Sequence, residues 1–419
     1  MKILHTADWH IGKWVNGYSM LEDQRIILQQ ILKQIERERP DVILIAGDLY
    51  DRSIPPLGAV ELLNETLSTI VSDFQIPVIA IAGNHDSNTR LQFGSRLLKA
   101  SGLHLIGMNQ IPFEKIKLQD SFGDVIFYPI AYMDPLAVAQ MYKDETIRTH
   151  EQAMAKIFET LMQDFDPSKR NVAIAHGYFA SIDSMFEFES NDNISGETDK
   201  KSSSYMTNDS LRSVGLQICD SEKRLSIGGN DLVSTHYFEP FHYTALGHLH
   251  SHQKVGSTRI QYAGSPLKYS FSEMNHRKGM IWIDMDAHGQ IQERFIPLTP
   301  KRDFKIVRGY LQDIIDAGNQ GEEPCKDYIR AEIEDKQILL SPMAKLKAVY
   351  PYAMELVRVY QMSNETQDSE QNSLQIQENS PLDLFCTFYC QVTEEEANKD
   401  EIAWIVKALE CYEKGEQEK

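Results

Sequence analysis

The chain has 419 residues, 42% hydrophobic and 25% charged, with a formal net charge of −19. That length exceeds one ordinary hydrophobic core, so two or more domains are expected, and the composition is that of a globular rather than a fibrous or disordered protein. The acidic balance excludes long-range attraction of the whole chain to nucleic acid or to an anionic membrane; a nucleic-acid role needs local positive charge, bound metal or a basic partner.

The opening residues MKILHTADWH read as a β-strand running into polar groups, not as a secretory signal. No apolar run reaches the length of a membrane span, so no membrane association is expected. Cys219, Cys325, Cys386, Cys390 and Cys411 show no CxxC pair and no zinc-finger spacing. They are expected to be reduced thiols of a cytoplasmic protein.

In chain order, KILHTAD is a strand and a helix follows over about Leu21 to Arg37. DVILIAGD is the next strand, and LGAVELLNETLSTIV an amphipathic helix. PVIAIAGNHD, a helix near 90–100, and the strands LHLIG and DVIFYPI come next. A helix over about 148–164 leads to the buried strand NVAIAHG. Short apolar strands alternating with helical patterns predict an α/β fold with a largely buried sheet. Residues 181–223, rich in Ser, Asn and Asp, break the rhythm and are expected to form a long mobile surface excursion. Strand patterns return in FHYTALGHLH, RIQYAGSP and KGMIWIDMD.

The first unit is expected to span 1–298, and a small α+β capping unit 299–360. A polar linker covers 361–379, and C-terminal helices cover 380–419. Ser380 and Pro381 provide a helix start, and Phe385, Phe388 and Ile405 lie on apolar stripes that suit a partner surface. The alternative is that these stripes pack on the chain's own cap.

Five strands end in metal-ligand residue types. ILHTADWH supplies Asp8 and His10, VILIAGD supplies Asp48, and VIAIAGNHD supplies Asn84 and His85. VAIAHG supplies His176, and YTALGHLH supplies His248 and His250. Ligands of open α/β sheets bind beyond the carboxyl ends of the strands, which brings these groups to one edge. Asp8/His10 and His248/His250 are i, i+2 pairs, so in extended chain both members point the same way. Gly47, Gly83, Gly177 and Gly247 sit beside them, where the backbone has to turn sharply.

Seven ligands become four per ion if Asp48 bridges two ions. The two carboxylates carry about −2 and two divalent ions about +4, so with one bridging hydroxide the centre stays near +1, suited to an anionic phosphoester. Taken singly, each motif has a structural alternative: a chance D-x-H, a turn at GD, a core histidine at His176. His5 is expected to be a packed core residue and His252 a surface one.

In this order, D-x-H, GD, GNHD, H and G-H-x-H resemble the calcineurin-like metallophosphoesterase family. The stretches MKILHTADWHIGK, AGDLYDRSIPP, AGNHDS and YTALGHLHSHQKVGSTRIQYAGSPLKYSF are similar to its SbcD-type DNA-repair nuclease branch. The resemblance covers most of residues 1–300 and implies a metallophosphoesterase β-sandwich flanked by helices. It implies Mn²⁺ as the metal, an SbcC-type ATPase partner with a long coiled coil, and a homodimer within a heterotetramer. It further implies 3′-to-5′ exonuclease action on duplex DNA and endonuclease action on single strands and hairpins.

On this resemblance the first ion takes Asp8, His10, Asp48 and His250. The second takes Asp48, Asn84, His176 and His248. His85 stands beside the ions without ligating them. It is cast as the proton donor to the leaving deoxyribose oxygen, a role suited to imidazole near neutral pH. The GD-x-x-D-R run nominates the Asp51 carboxylate to hold His85, the alternative being a turn residue. Arg52 stands where some relatives carry His and either contacts phosphate or faces solvent. Two other functions fit the same metal centre: a phosphatase or phosphodiesterase on a non-DNA substrate, and an inactive scaffold for the ATPase. The intact ligand set argues against the scaffold.

Overall fold

A computed structural model describes residues 1–181, 215–222, 231–320, 325–337 and 339–359, with Tyr389 and Ile402. The chain divides into two compact units, Met1–Val359 and Tyr360–Lys419. Residues 182–214, the expected linker at 361–379 and the tail residues Phe385, Phe388 and Ile405 lie outside the described residues.

The first unit is built on two six-stranded sheets. In one, the parallel strands Lys2–Thr6, Val42–Ala46, Val78–Ile81 and Leu103–Ile106 are joined by the antiparallel strands Gly279–Met285 and Ile291–Pro297. In the other, Gly123–Ile130, Arg170–His176, Tyr243–Gly247 and Ser257–Tyr262 run parallel, edged by antiparallel Ile116–Asp120 and Gln253–Val255. Strands Val42–Ala46, Val78–Ile81, Arg170–His176 and Tyr243–Gly247 are buried along their whole length. That is why they read as continuous apolar runs. The sheets face each other across one core that includes Val42, Ile45, Val172, Ile174 and Ala245. His5 sits in that interface as expected: its ring nitrogens meet the Tyr243 hydroxyl at 2.8 Å and the Leu246 carbonyl at 3.2 Å. Burial pulls its pKa down to about 3.

Helix Leu21–Glu38 buries Ile27, Leu28, Ile31 and Ile35 on one face. It stops where Arg39 turns left-handed ahead of Pro40. The helix expected near 90–100 is instead two short helices, Asn88–Gln92 and Ser95–Leu98, because Gly94 between them takes φ +71°. The edge strands Ile116–Asp120 and Ile291–Pro297 are not among the expected elements. Their exposed, charged faces blunt the sheet edges and hide the strand pattern. The surface excursion expected at 181–223 also needs correction. Its segment 215–222 packs inward, burying Leu216, Ile218 and Cys219, because the alternating apolar run L-Q-I-C fits against the sandwich. His252 is half-buried and stacks on Phe295, with ring centroids 4.8 Å apart, rather than lying free on the surface.

Beyond residue 300, strands Phe304–Gly309, Tyr328–Ile333 and Ala353–Arg358 form a parallel three-stranded sheet. Helices Leu311–Asn319 and Pro342–Val349 cross over between them. Leu311, Ile314, Ile329, Ile333 and Leu346 give this part its own core. Arg302 ties it to the first helix. Its guanidinium bonds Asp23 at 2.7 Å and Glu22 at 3.1 Å and lies 4.4 Å from the Tyr352 ring centre. Tyr328 donates to the same Asp23 oxygen at 2.9 Å. Among the described residues, no helix is long and apolar enough to cross a membrane.

Asp23→Ala removes the acceptor shared by Arg302 and Tyr328 while Glu22 still pairs with the guanidinium, so it is expected to cost about 1–3 kcal/mol of stability. Denaturant unfolding checks this: an unchanged midpoint would show that the cluster contributes nothing.

Candidate metal centre

The strand ends converge because their loops are hydrogen-bonded to one another. Asp8 N–H donates to the Gly47 carbonyl at 3.1 Å and His10 N–H to the Asp48 carbonyl at 2.9 Å. His248 N–H donates to the Asp8 carboxylate at 2.9 Å. Asp8, His10, Asp48 and His248 all take positive φ, from +46° to +109°. Such backbone costs of order 1–3 kcal/mol per non-glycine residue and gathers at functional sites. Gly83 is dictated by space, since a Cβ there would collide with the Asp48 carboxylate.

Two clusters result. Asp8, His10 and His250 offer ligand atoms within 4.8 Å of one another, and so do Asp48, His176 and His248. His10 Nε2 and His250 Nε2 stand 3.0 Å apart. Asn84 Oδ1 lies 3.0 Å from both His176 Nε2 and His248 Nδ1. Asp48 Oδ2 is 3.5 Å from His10 Nε2 and 3.5 Å from His176 Nε2, between the clusters. All seven expected ligands thus meet at one edge.

The donor set fits cations. Buried carboxylates, an amide oxygen and imidazole nitrogens face each other, and His10 Nδ1 and His248 Nε2 are buried without a hydrogen-bond partner. Burial pushes His10 and His248 well below the usual imidazole range and His250 to about 4, so their rings stay neutral. Burial pushes Asp8 well above the usual carboxyl range, and the charge of Asp48 adds to this. Burial also acts to raise Asp48, but His176 and His10 outweigh it and hold that carboxyl well down. His176 is raised to about 9: burial opposes this and Asp48 overrides it. Divalent cations here favour every deprotonated form.

His85 is half-buried beside this set. Its N–H donates to Asp48 Oδ1 at 2.9 Å, and its ring lies 4.7 Å from that of His10. Its Nδ1 meets the Asp51 main-chain carbonyl at 2.8 Å. The carboxylate expected to hold His85 is otherwise engaged: Asp51 Oδ1 accepts from Lys13 Nζ at 2.7 Å. The main chain does the holding because the turn aims the carbonyl, while the side chain is drawn to the nearby ammonium. Arg52 lies at the rim, 68% exposed, with Nε 3.7 Å from Asp51.

Asp86 escaped the sequence reading. Its carboxylate accepts N–H bonds from Leu49 at 3.1 Å, Tyr50 at 2.9 Å and Gly83 at 3.0 Å. It therefore braces the Asp48 loop against the Asn84–His85 loop. The signal was the last letter of GNHD, a carboxylate where two tight turns need an acceptor. Ser221, Glu222, Glu273 and Lys278, which surround His250, were missed too.

A calcineurin-like phosphoesterase model matches residues 1–218. The chain is also 34% identical over 359 residues to the D component of the SbcCD nuclease of Staphylococcus epidermidis, covering 86% of each chain. The chain belongs to the calcineurin-like phosphoesterase family. Within that family it is of the SbcD type: residues 300–393 match the SbcD C-terminal model, described as type 5 capsule protein repressor C-terminal domain. Two solved structures are also similar. A dimetal phosphatase from Danio rerio is 10% identical, with a TM-score of 0.37, covering 71% of this chain and 98% of its own. GAP50, the anchor in the inner membrane complex of Plasmodium, is 12% identical, with a TM-score of 0.34, covering 86% and 98%. Scores this low add nothing to the family assignment.

Burial, then the charge of Asp48, raises the Asp86 carboxyl from 3.8 to about 7. Between those values the unfolded chain loses this proton while the folded chain keeps it. The group's contribution to stability therefore falls as pH rises. In metal-free protein, stability relative to Asp86→Asn is expected to decline between pH ~4 and ~7. Denaturant midpoints across that range check it, and a flat difference would contradict it.

Proposed function

We propose that the chain is the metal-dependent nuclease component of an SbcC–SbcD-type, ATP-dependent complex. In this reading it cleaves duplex DNA as a 3′-to-5′ exonuclease and cuts single strands and hairpins as an endonuclease. The setting is DNA repair, recombination and replication in the cytoplasm. The observation that carries the reading is the Asp48 carboxylate set between two His/Asp clusters, in a chain alike to an SbcCD nuclease component over 86% of its length.

Asp8, His10, Asp48 and His250 would hold one ion, and Asp48, Asn84, His176 and His248 the other, with Mn²⁺ the metal. Bound ions supply Lewis-acid polarisation of the phosphoester and a more acidic water. The chain's own part is positioning and proton transfer. A carbonyl only accepts, so the Asp51 contact fixes the proton of His85 on Nδ1. In the imidazolium form a second proton sits on Nε2; given to the departing deoxyribose oxygen, it leaves a neutral ring that keeps its proton on Nδ1. Lys13 and Arg52 offer positive charge near the Asp51 turn, which answers part of the mismatch between an acidic chain and DNA.

Plasmid DNA and a nitrophenyl phosphodiester, each with Mn²⁺, test the reading. DNA cleavage is expected; turnover of the ester alone would favour a small-molecule phosphoesterase, and neither would favour a scaffold. Asp48→Ala is expected to abolish cleavage and uptake of both ions, and His250→Ala to impair mainly one. His85→Ala is expected to keep both ions and slow DNA cleavage by about 10²–10⁴-fold. It should spare the nitrophenyl ester, whose leaving group needs no proton. Asp51→Asn leaves the carbonyl in place and costs less. Equal loss on both substrates from His85→Ala would rule out proton donation.

Partner contacts belong to the same reading: an ATPase docked on 380–419, and a homodimer through the helix at 57–72, whose α-helical part is Leu57–Ser68. Support for the dimer is an apolar face where Leu57 and Phe93 are 73% and 87% exposed. It borders a groove of about 660 Å³ lined by Val60, Leu63, Leu67 and Phe93. Deleting 380–419 is expected to abolish co-purification with the ATPase while sedimentation still shows a dimer. Retained complex formation would exclude the tail, and a monomer would exclude the dimer.

A further inference from the structure

His250 has a support of its own that the two-ion reading leaves unexplained. Its Nε2 faces His10 across 3.0 Å, and its Nδ1 lies 2.8 Å from Ser221 Oγ. Ser221 gives its hydroxyl proton to Glu273 Oε1 at 2.5 Å. The serine oxygen is then an acceptor toward His250, which places the imidazole proton on Nδ1 and leaves the Nε2 lone pair free.

The Glu273 carboxylate is fully buried and saturated with donors. It accepts from Tyr269 N–H at 3.0 Å and from Lys278 Nζ at 2.5 Å. Lys278 also donates to the His250 carbonyl and to Ser265 Oγ, each at 2.8 Å. From the other side, Glu222 accepts the His250 N–H at 2.6 Å. A buried ion pair of this kind contributes little to net stability. Its geometric consequence is a carboxylate that stays charged and cannot turn. Segment 215–222 is fastened by matching bonds: Gln217 and Gln253 exchange two, at 3.0 and 2.9 Å, and Asp220 N–H donates to Ser272 at 2.9 Å.

The corresponding ligand of the other cluster is supported differently. His176 Nδ1 lies 2.9 Å from the main-chain carbonyl of Ala46, part of the sheet itself. His176 is therefore oriented by the sheet, and His250 by a side-chain relay whose first member, Ser221, comes from the 215–222 segment.

We propose that Ser221, anchored by Glu273 and Lys278, is a positioning residue for the first ion: it fixes the His250 ring so that Nε2 is presented to the Asp8–His10–His250 cluster. This rests on the two-ion reading above. Outer partners of this kind change metal affinity by about 10–100-fold. The effect falls on one ion, because Ser221 touches neither His176 nor His248.

Calorimetric titration of metal-free full-length chain with Mn²⁺ tests it, alongside thermal unfolding without metal. Wild type is expected to take two ions. Ser221→Ala is expected to weaken one of them by about 10–100-fold and leave the other and the metal-free melting temperature unchanged. Ser221→Thr, which keeps the hydroxyl, should restore wild-type uptake. Ser221→Ala binding both ions as wild type does would overturn the proposal. So would equal weakening of both ions with a lower metal-free melting temperature, the mark of a merely structural role. A wild-type chain that takes up fewer than two ions would instead overturn the metal reading itself.

Discussion

Asp48 is a carboxylate 2% exposed to solvent, and removing such a group from water costs several kcal/mol unless partners surround it. Its partners come from three other chain segments: His10 after the first strand, the His85 N–H after the third, and His176 from the facing sheet. No single loop could supply them. The carboxylate therefore requires both sheets to end at the same edge. It also accounts for the cramped backbone there: Asp48 at φ +51° aims its side chain at the facing sheet, and Gly83 leaves room for it. Asp86 completes the arrangement by accepting three N–H groups that these tight turns cannot pair along the chain.

Much of this was legible because strand ends announce themselves. A fully buried parallel strand reads as an unbroken apolar run, and the first polar letters after it mark the edge. Asp8, Asp48, Asn84, His176 and His248 were found that way. His5 was separable from them because it lies within its strand, where a ring between two sheets meets Tyr243 and Leu246. What stayed hidden was contact without a residue-type signature. The bond from His85 goes to a main-chain carbonyl, which every residue has, so the letter D at position 51 pointed to the wrong atom. Ser221 and Glu273 reach His250 from 29 and 23 positions away in sequence, inside stretches whose polar composition reads as loop. The polar edge strands were missed for the same reason: half-exposed strands lose the apolar run that identifies their neighbours.

The acidic character of the chain bears on how the centre works. A net charge of −19 repels a polyanion at long range. At the sheet edge the balance differs, since burial keeps His10, His248 and His250 neutral, His176 is raised to about 9 beside Asp48, and only two of the seven expected ligands are carboxylates. Two divalent ions held there would make the local charge positive. With a net charge of this sign the chain as a whole offers no long-range attraction to a polyanion, so on the proposed reading contact with a phosphodiester would draw on bound ions and on a partner's positive charge.

The protonation pattern gives the same logic a second form. Asp8 and Asp86 are pushed up chiefly by burial, Asp86 to about 7, and His176 is held near 9 because Asp48 outweighs its burial. His176 therefore holds a proton near neutral pH when no ion is present, and burial favours the neutral form of Asp8. A dication displaces such protons, so loading releases them and is favoured as pH rises. The protons stand in for the ions. The proton on His176 offsets the charge of Asp48 3.5 Å away, which moderates repulsion among the buried carboxylates. The ligands then need only exchange one positive charge for another, with the rings already turned by the Ala46 carbonyl on one side and the Ser221 hydroxyl on the other.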